Sequence, residues 1–366
     1  MSSLSNLDHI VASALDFHIK SDAFTQTIQS KPLLGLMEKR KQTFPGGKGE
    51  ISLPITFQEN LPAIQGFDAD DQVSYSNPQN TRRISFPWKE IHAGISLTLT
   101  ELKIDGISVS DSMTGESTTK HSNRDATVLT NILKAKLDDM TEGWARSFNE
   151  MLWLDGSQDA KVVPGIMNLI RPGANIGLVG GVNLNLTGNT GGFSRATAIN
   201  GTHFWANRED VFVYETGKTN IIDGLRREIR QLSRFGGKPT TILCGSQFLN
   251  YLEQEVHSKG LYTQNNAFTG GTTVGMGAIS LLGIGEFVYD PTLDSLPRHD
   301  GTGNQSDMCY LIDTEALQLH VMDGEDKKTH NPARPEDKYV IYKAMTWTGG
   351  LATKRLTSSG LYRAVD

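Results

Sequence analysis

Residues 122–154, SNRDATVLTNILKAKLDDMTEGWARSFNEMLWL, read as one long amphipathic helix, and a rod of that length limits what can be built around it. Leu129, Leu133, Leu137, Met140, Trp144, Phe148 and Met151 recur three or four apart, which places them on one face of a 3.6-residue period. Asp138, Asp139, Glu142, Arg146 and Glu150 fall mostly between them, toward water. Ser122 or Asn123 caps the start, Asp125 lies in the first turn where the helix dipole favours an acid, and Asp155-Gly156 ends the run. At 1.5 Å per residue such a helix spans about 48 Å, longer than most helices of globular domains.

The stretch before the helix alternates with a period of two. Ile51, Leu53, Ile55 and Phe57 share one face of residues 50–57, and after a polar tip Ile84, Phe86 and Trp88 begin a second run. Alternation resumes on odd numbers at Ile95, Leu97 and Leu99, so a bulge or bend is required between Lys89 and Gly94. Pro54 and Pro87 lie inside these strands and cannot donate to a ladder, which calls for the free edges of a two-stranded ribbon. A ribbon with one apolar face is marginal alone in water. The face formed by Ile51, Leu53, Ile55, Phe57, Ile84, Phe86 and Trp88 is therefore expected to pack on another subunit, giving an obligate assembly. The alternative is a hairpin lying on its own domain.

Residues 1–30 read as a polar arm with a short amphipathic helix carrying Leu7, Ile10, Val11, Leu15 and Phe17. After the long helix, Val162-Val163-Pro164-Gly165-Ile166 leads into a Gly/Asn-rich stretch, 172–192, read as a surface loop or small β insertion. Helices are expected at 220–232 and 246–257, with strands at 240–243, 285–289, 309–312, 317–322 and 339–347, the last running into Gly349-Gly350. The order gives an α+β protein whose first and last segments share one sheet. No repeat of 20–50 residues occurs, which excludes solenoids and propellers.

Composition narrows the function. The 366 residues are 37% hydrophobic and 21% charged, enough for a core and more than one domain. No apolar run reaches membrane-spanning length and no basic-then-apolar leader opens the chain, which points to a cytoplasmic protein with no membrane partner. A net charge of −6 argues against a dedicated nucleic-acid binder. Chemistry is sparse. Gly217-Lys218-Thr219 sits between a strand and a helix like a phosphate loop, but the glycine needed five residues earlier is Phe212. Cys244-Gly245-Ser246 occupies a strand-to-helix turn without the flanking glycines of a nucleophile elbow, so Cys244 reads as a buried thiol. Asp155, Ser157 and Asp159 start like a calcium loop, yet the closing acid would be Ile166. No histidine has metal-ligand spacing, and no catalytic, cofactor-binding or metal-binding residue is assigned.

The ordered set resembles the major capsid proteins of tailed bacteriophages, the Hong Kong ninety-seven type capsid fold. FNEMLWLDG followed by Pro164-Gly165-Ile166 is similar to the end of that family's spine helix. So are NIIDGLRREIRQL followed by TTILCGSQFLNYLEQ, and GIGEFVYDP followed by CYLIDTEALQLHVM. The resemblance implies an N-terminal arm at 1–40, an extended two-stranded loop at 41–104 and a peripheral domain at 105–216 that holds the spine helix 122–154 and the Gly/Asn-rich insertion. It further implies an axial domain at 217–330 and a return to the peripheral domain at 331–366. Implied with it are self-assembly into hexamers and pentamers of an icosahedral virion shell enclosing double-stranded DNA, assembled in the host cytoplasm, and a separate scaffolding protein and portal. No cofactor is implied. A shell need not grip its DNA, which agrees with the net acidity. The alternatives are an encapsulin-type nanocompartment shell and a cytoplasmic enzyme using Lys218 or Cys244.

Overall fold

The computed structural model describes residues 31–56, 64–73, 75, 80–98, 123–172, 184–199, 202–218, 220–258, 280–281, 285–299, 301, 303–330 and 340–366. The expected arm helix, Phe57 and Leu99 lie outside these residues. Helix α1 (Pro32–Lys39) leads into β1 (Gln42–Phe44), β2 (Glu50–Thr56), β3 (Thr81–Pro87) and β4 (Lys89–Thr98). The long helix α2 (Asn123–Trp153) and the short turn α3 (Ile166–Leu169) follow. Next come the paired fragments β5 (Asn189–Thr190) and β6 (Phe193–Ser194), then β7 (Ala198–Ile199) and β8 (Thr202–His203), and then β9 (Arg208–Val213). An α/β block contains α4 (Asn220–Leu232), β10 (Thr241–Cys244), α5 (Ser246–Ser258), β11 (Ser280–Leu281), β12 (Gly285–Tyr289), α6 (Pro291–Ser295) and β13 (Met308–Ile312). The chain closes with β14 (Leu317–Met322), β15 (Lys328–His330), β16 (Val340–Thr353) and β17 (Gly360–Val365).

Helix α2 sits within one residue of its predicted bounds at each end. Leu137, Met140, Trp144, Phe148 and Leu152 are buried, and Thr141, Ala145 and Asn149 fill the positions between them on the same face. The helix stops where Gly165 folds back on it. The Gly165 amide donates to the Leu154 carbonyl at 2.8 Å, and a β-carbon at 165 would stand 2.2 Å from the Leu152 oxygen. Only glycine fits that approach, which gives the Pro-Gly-Ile motif its physical reason.

Two main sheets flank the helix. In the five-stranded sheet β16 is the hub. It pairs antiparallel with β4 along residues 340–349 on one edge; on the other, β15 takes its first half and β14 its second, with β1 parallel to β14 beyond. In the six-stranded sheet the order is β11-β12-β10-β13-β17-β9. Helix α2 joins the two: the Phe148 ring meets Trp347 of β16 edge-on at 4.9 Å, and Trp153 meets Tyr310 of β13 in the same way at 4.9 Å. The far face of the six-stranded sheet is closed by α4 and α5 through Leu225, Phe248 and Leu252 against Ile242, Leu311 and Tyr362.

One expectation needs revision. The closing strand does not stop before the glycine pair but runs through it to Thr353. A β-carbon at 349 would lie 2.3 Å from the His320 oxygen, and one at 350 would lie 2.5 Å from the Pro87 oxygen, so these glycines mark crowding rather than a strand end. Each sheet draws strands from both sides of residue 330. Strands β14 and β15 belong with β16, whereas β9 and the C-terminal β17 complete the α/β block. Helix α1, inside the stretch expected as an arm, packs into the core, with Leu33, Leu34 and Met37 almost wholly buried and the helix against α2 and β14.

Candidate assembly surface

Strands β2 and β3 form a separate two-stranded antiparallel ribbon, as the prolines required, with Ile51 opposite Phe86 and Leu53 opposite Ile84. The parity switch falls at Trp88 rather than between Lys89 and Gly94. There the backbone leaves its ladder with β2 and, as β4, takes a new one with β16. Ile91, Ala93, Ile95 and Leu97 then face the core on odd numbers.

Much of the ribbon's apolar face is already covered within the chain. Ile51, Ile55, Ile84 and Phe86 are 7% exposed or less within the single chain, while Leu53 and Trp88 are half-buried. The cover is the Gly-rich hairpin β5–β6. Its turn glycines Gly191 and Gly192 both have positive φ, the geometry of a tight two-residue hairpin. The Gly191 carbonyl accepts from the Ser85 amide at 3.2 Å, and a β-carbon at 191 would lie 3.1 Å from the Phe86 ring and 3.3 Å from Ile84. The Arg82 guanidinium also sits 5.5 Å from the centre of the Phe193 ring. Within the chain, this part of the face lies on its own hairpin, the alternative that the sequence left open.

Arg195, a fully buried cation, holds the hairpin. Its Nε donates to Thr190 Oγ1 at 2.8 Å, one terminal nitrogen donates to Asn207 Oδ1, and the other donates to the Leu169 carbonyl at 2.6 Å. Burial, with Arg171 nearby, brings its pKa down to about 9, which leaves it charged at neutral pH. A second anchor fixes α1. Glu38 takes ion pairs from Lys41 at 3.1 Å and from Lys327 at 2.8 Å, and the Lys327 ammonium lies 5.7 Å from the centre of the Trp144 ring of α2. Asn149 of α2 accepts from the Leu34 amide at 3.2 Å and donates to Thr292 of α6 at 2.8 Å.

Beyond this anchored base the tip carries apolar side chains into water. Ile64, Phe67 and Tyr75 are 101%, 66% and 94% exposed, and Val73 is also exposed. Between them a turn closes, with the Asp68 amide donating to the Asp71 carboxylate at 3.0 Å and the Asp71 amide to the Asp68 carbonyl at 3.0 Å. Most large apolar side chains exposed among the described residues are therefore on this one loop, the others being Val213 and Tyr289. Periodicity could not flag them, because Ile64, Phe67, Val73 and Tyr75 follow neither period and sit among polar neighbours.

The residues considered for chemistry are placed in structural roles. Lys218 is ion-paired to Glu215. The adjacent N-terminus of α4 is filled by the chain's own Glu255, whose carboxylate accepts from the Ile221 and Ile222 amides at 3.0 and 3.1 Å, the positions a phosphate would use. Phe212, in the place of the missing glycine, stacks on Tyr362 at 5.7 Å in the core. Cys244 lies directly across the β10–β13 ladder from Cys309, with the sulfurs 3.1 Å apart and fully buried. Burial, and the neighbouring thiol, push the Cys244 pKa up, away from the thiolate. Asp155 accepts from the Ser157 amide and hydroxyl and from Gln158 in a local turn. Among the described residues no cluster of His, Cys, Asp or Glu could hold a metal ion, and no helix is long and apolar enough to cross a membrane.

No protein-family model matches the chain, and no curated protein sequence does. Solved structures do. A chain of the cyanophage A-1(L) capsid asymmetric unit superposes with a TM-score of 0.61 at 13% identity, covering 91% of this chain and 92% of that one. A chain from Mycobacterium phage Bobi gives 0.52 at 10% identity over 90% of each chain. One from the asymmetric unit of the bacteriophage PhiM1 mature capsid gives 0.50 at 11% identity over 89% and 85%. Across most of its length the chain thus has the α+β fold of tailed-phage capsid subunits, the fold that the resemblance in sequence implied.

Proposed function

We propose that the chain is a major capsid protein, a shell subunit that self-assembles into hexamers and pentamers of an icosahedral head around double-stranded DNA. The observation that carries this reading is a capsid-type fold from which a firmly based ribbon holds Ile64, Phe67 and Tyr75 in water. Burying each of those side chains contributes roughly 1.5–3 kcal/mol, a strong reason for the tip to seek a neighbouring subunit. The five-stranded sheet with α2 serves as the peripheral domain, and the six-stranded sheet with α4 and α5 as the axial domain nearer the capsomer centre. The protein works by assembly, without catalysis, in the host cytoplasm and then in the virion, with a separate scaffolding protein and a portal as partners.

Negative-stain electron microscopy of the purified protein, paired with sedimentation velocity, tests the proposal. Closed particles or rings of five and six subunits are expected, either from the protein alone or after adding a candidate scaffolding protein. A monomer or dimer under both conditions would sink the reading. Closed shells that package a protein cargo and no nucleic acid would move it to a nanocompartment.

A further inference from the structure

The outward face of α4 and the turn after it carry a concentration of positive charge, only part of which is engaged within the fold. Ile221, Ile222, Leu225 and Leu232 turn inward, and Glu228 goes with them to meet Arg208 at 2.6 Å. Outward lie Arg226, Arg227, Arg230, Arg234 and, past the helix end, Lys238, all exposed, against one exposed acid, Asp223. Arg227 is taken by Asp210 at 2.6 Å. Arg226, Arg230 and Lys238 make no ion pair with any described residue. Arg355 extends the strip from another element, its side chain reaching within 3.0 Å of where a β-carbon on Gly237 would stand.

This arrangement runs against local economy in two ways. Arginines four apart on one helix face, as at 226 and 230, repel one another and weaken the helix. The chain as a whole is acidic, at −6, so the basic strip is a segregated feature and not a reflection of composition. A helix dipole would welcome cations in the last turn, which accounts for Arg230 but not for Arg226 in the second turn. The side chains stand about 6 Å apart along the axis, and duplex DNA offers a phosphate about every 1.7 Å, so each can meet its own phosphate.

We propose that this strip binds the phosphate backbone of double-stranded DNA without reading its sequence. With only a few cations engaged, the contact is weak at physiological salt: it orients the duplex against the subunit and leaves it free to move. DNA binding by the free subunit is measured independently of shell formation, so failure of this inference and failure of the shell reading are distinguishable.

The experiment is fluorescence anisotropy of a labelled duplex with the full-length protein, titrated across salt. Arg226→Gln/Arg230→Gln/Lys238→Gln is compared with a control that removes three exposed lysines elsewhere, Lys39→Gln/Lys48→Gln/Lys161→Gln. The wild type is expected to bind at low salt, and three phosphate contacts correspond to about a forty-fold loss of affinity from about 50 to about 200 mM. The strip variant is expected to flatten the slope of log affinity against log salt by roughly 3, with the control near wild type. Three results would overturn the proposal: no binding by the wild type at low salt, equal losses in both variants, or intact binding by the strip variant. If binding is intact and shells fail to form, the strip belongs instead to a contact with an acidic surface of a neighbouring subunit.

Discussion

His320 shows how tightly the hub of the five-stranded sheet is packed. It is 6% exposed in β14, directly opposite Gly350, and burial, with Lys354 nearby, brings its pKa down from 6.5 to about 4. The folded state therefore resists a proton that the unfolded chain accepts. The stability this protects is fully present above about pH 6.5 and is lost as the pH falls toward about 4, a total of about 3 kcal/mol. His320→Gln should flatten the dependence of Tm on pH between 7 and 5 relative to wild type. An unchanged slope would place the acid sensitivity elsewhere. Histidine spacing gave no hint of this residue; only the register of β14 against the crowded glycine pair puts it out of reach of water.

At the scale of elements, the ribbon separates into a base that belongs to the fold and a tip that does not. Phe86→Ala should cost about 3–5 kcal/mol, because it empties a site sealed by the Gly191 turn. Phe67→Ser with Tyr75→Ser should leave Tm within a degree or two while blocking shell formation, as circular dichroism and sedimentation would show. A large loss of Tm in the tip variant would mean that the tip packs on its own chain. The elements themselves were largely legible, since the 3.6-residue spacing of Leu137 to Phe148 and the alternation of Ile51 to Ile55 report each element's own burial. What covers the ribbon was not, because the hairpin at 189–194 works through glycines, which carry no hydrophobic period. The full length of β16 was hidden for a related reason: Gly349-Gly350 reads as punctuation until the approach of Pro87 and His320 is seen. Cys244 is buried, Lys218 is paired with Glu215, and Phe212 stacks on Tyr362.

For the whole molecule, the two sheets share one core. Leu243, Tyr310, Ile312 and Leu361 of the six-stranded sheet belong to the same buried cluster as Leu319, Val321 and Trp347 of the five-stranded one, with Phe148 and Trp153 of α2 between them. The strand that ends the chain also lies in the opposite sheet from its predecessor β16, so neither sheet is built from a continuous piece of sequence. Calorimetry of the unassembled subunit should show one transition, with a ratio of calorimetric to van't Hoff enthalpy of about 1. Two resolved transitions would show that the sheets unfold independently. Against that rigid body the ribbon leaves through two narrow necks. One is Trp88, between ladders; the other is Pro45-Gly46-Gly47-Lys48-Gly49, with Gly47 at φ 103°, and the Trp88 indole donates to the Lys48 carbonyl at 2.9 Å across them. The necks pass the chain out of the body, while the bond from the Ser85 amide to the Gly191 carbonyl and the buried Phe86 hold the ribbon's base in place. In a shell of the kind proposed, any difference between five-fold and six-fold neighbours would then be taken up beyond that base, in the loop that carries Ile64, Phe67 and Tyr75, while the body stays undeformed.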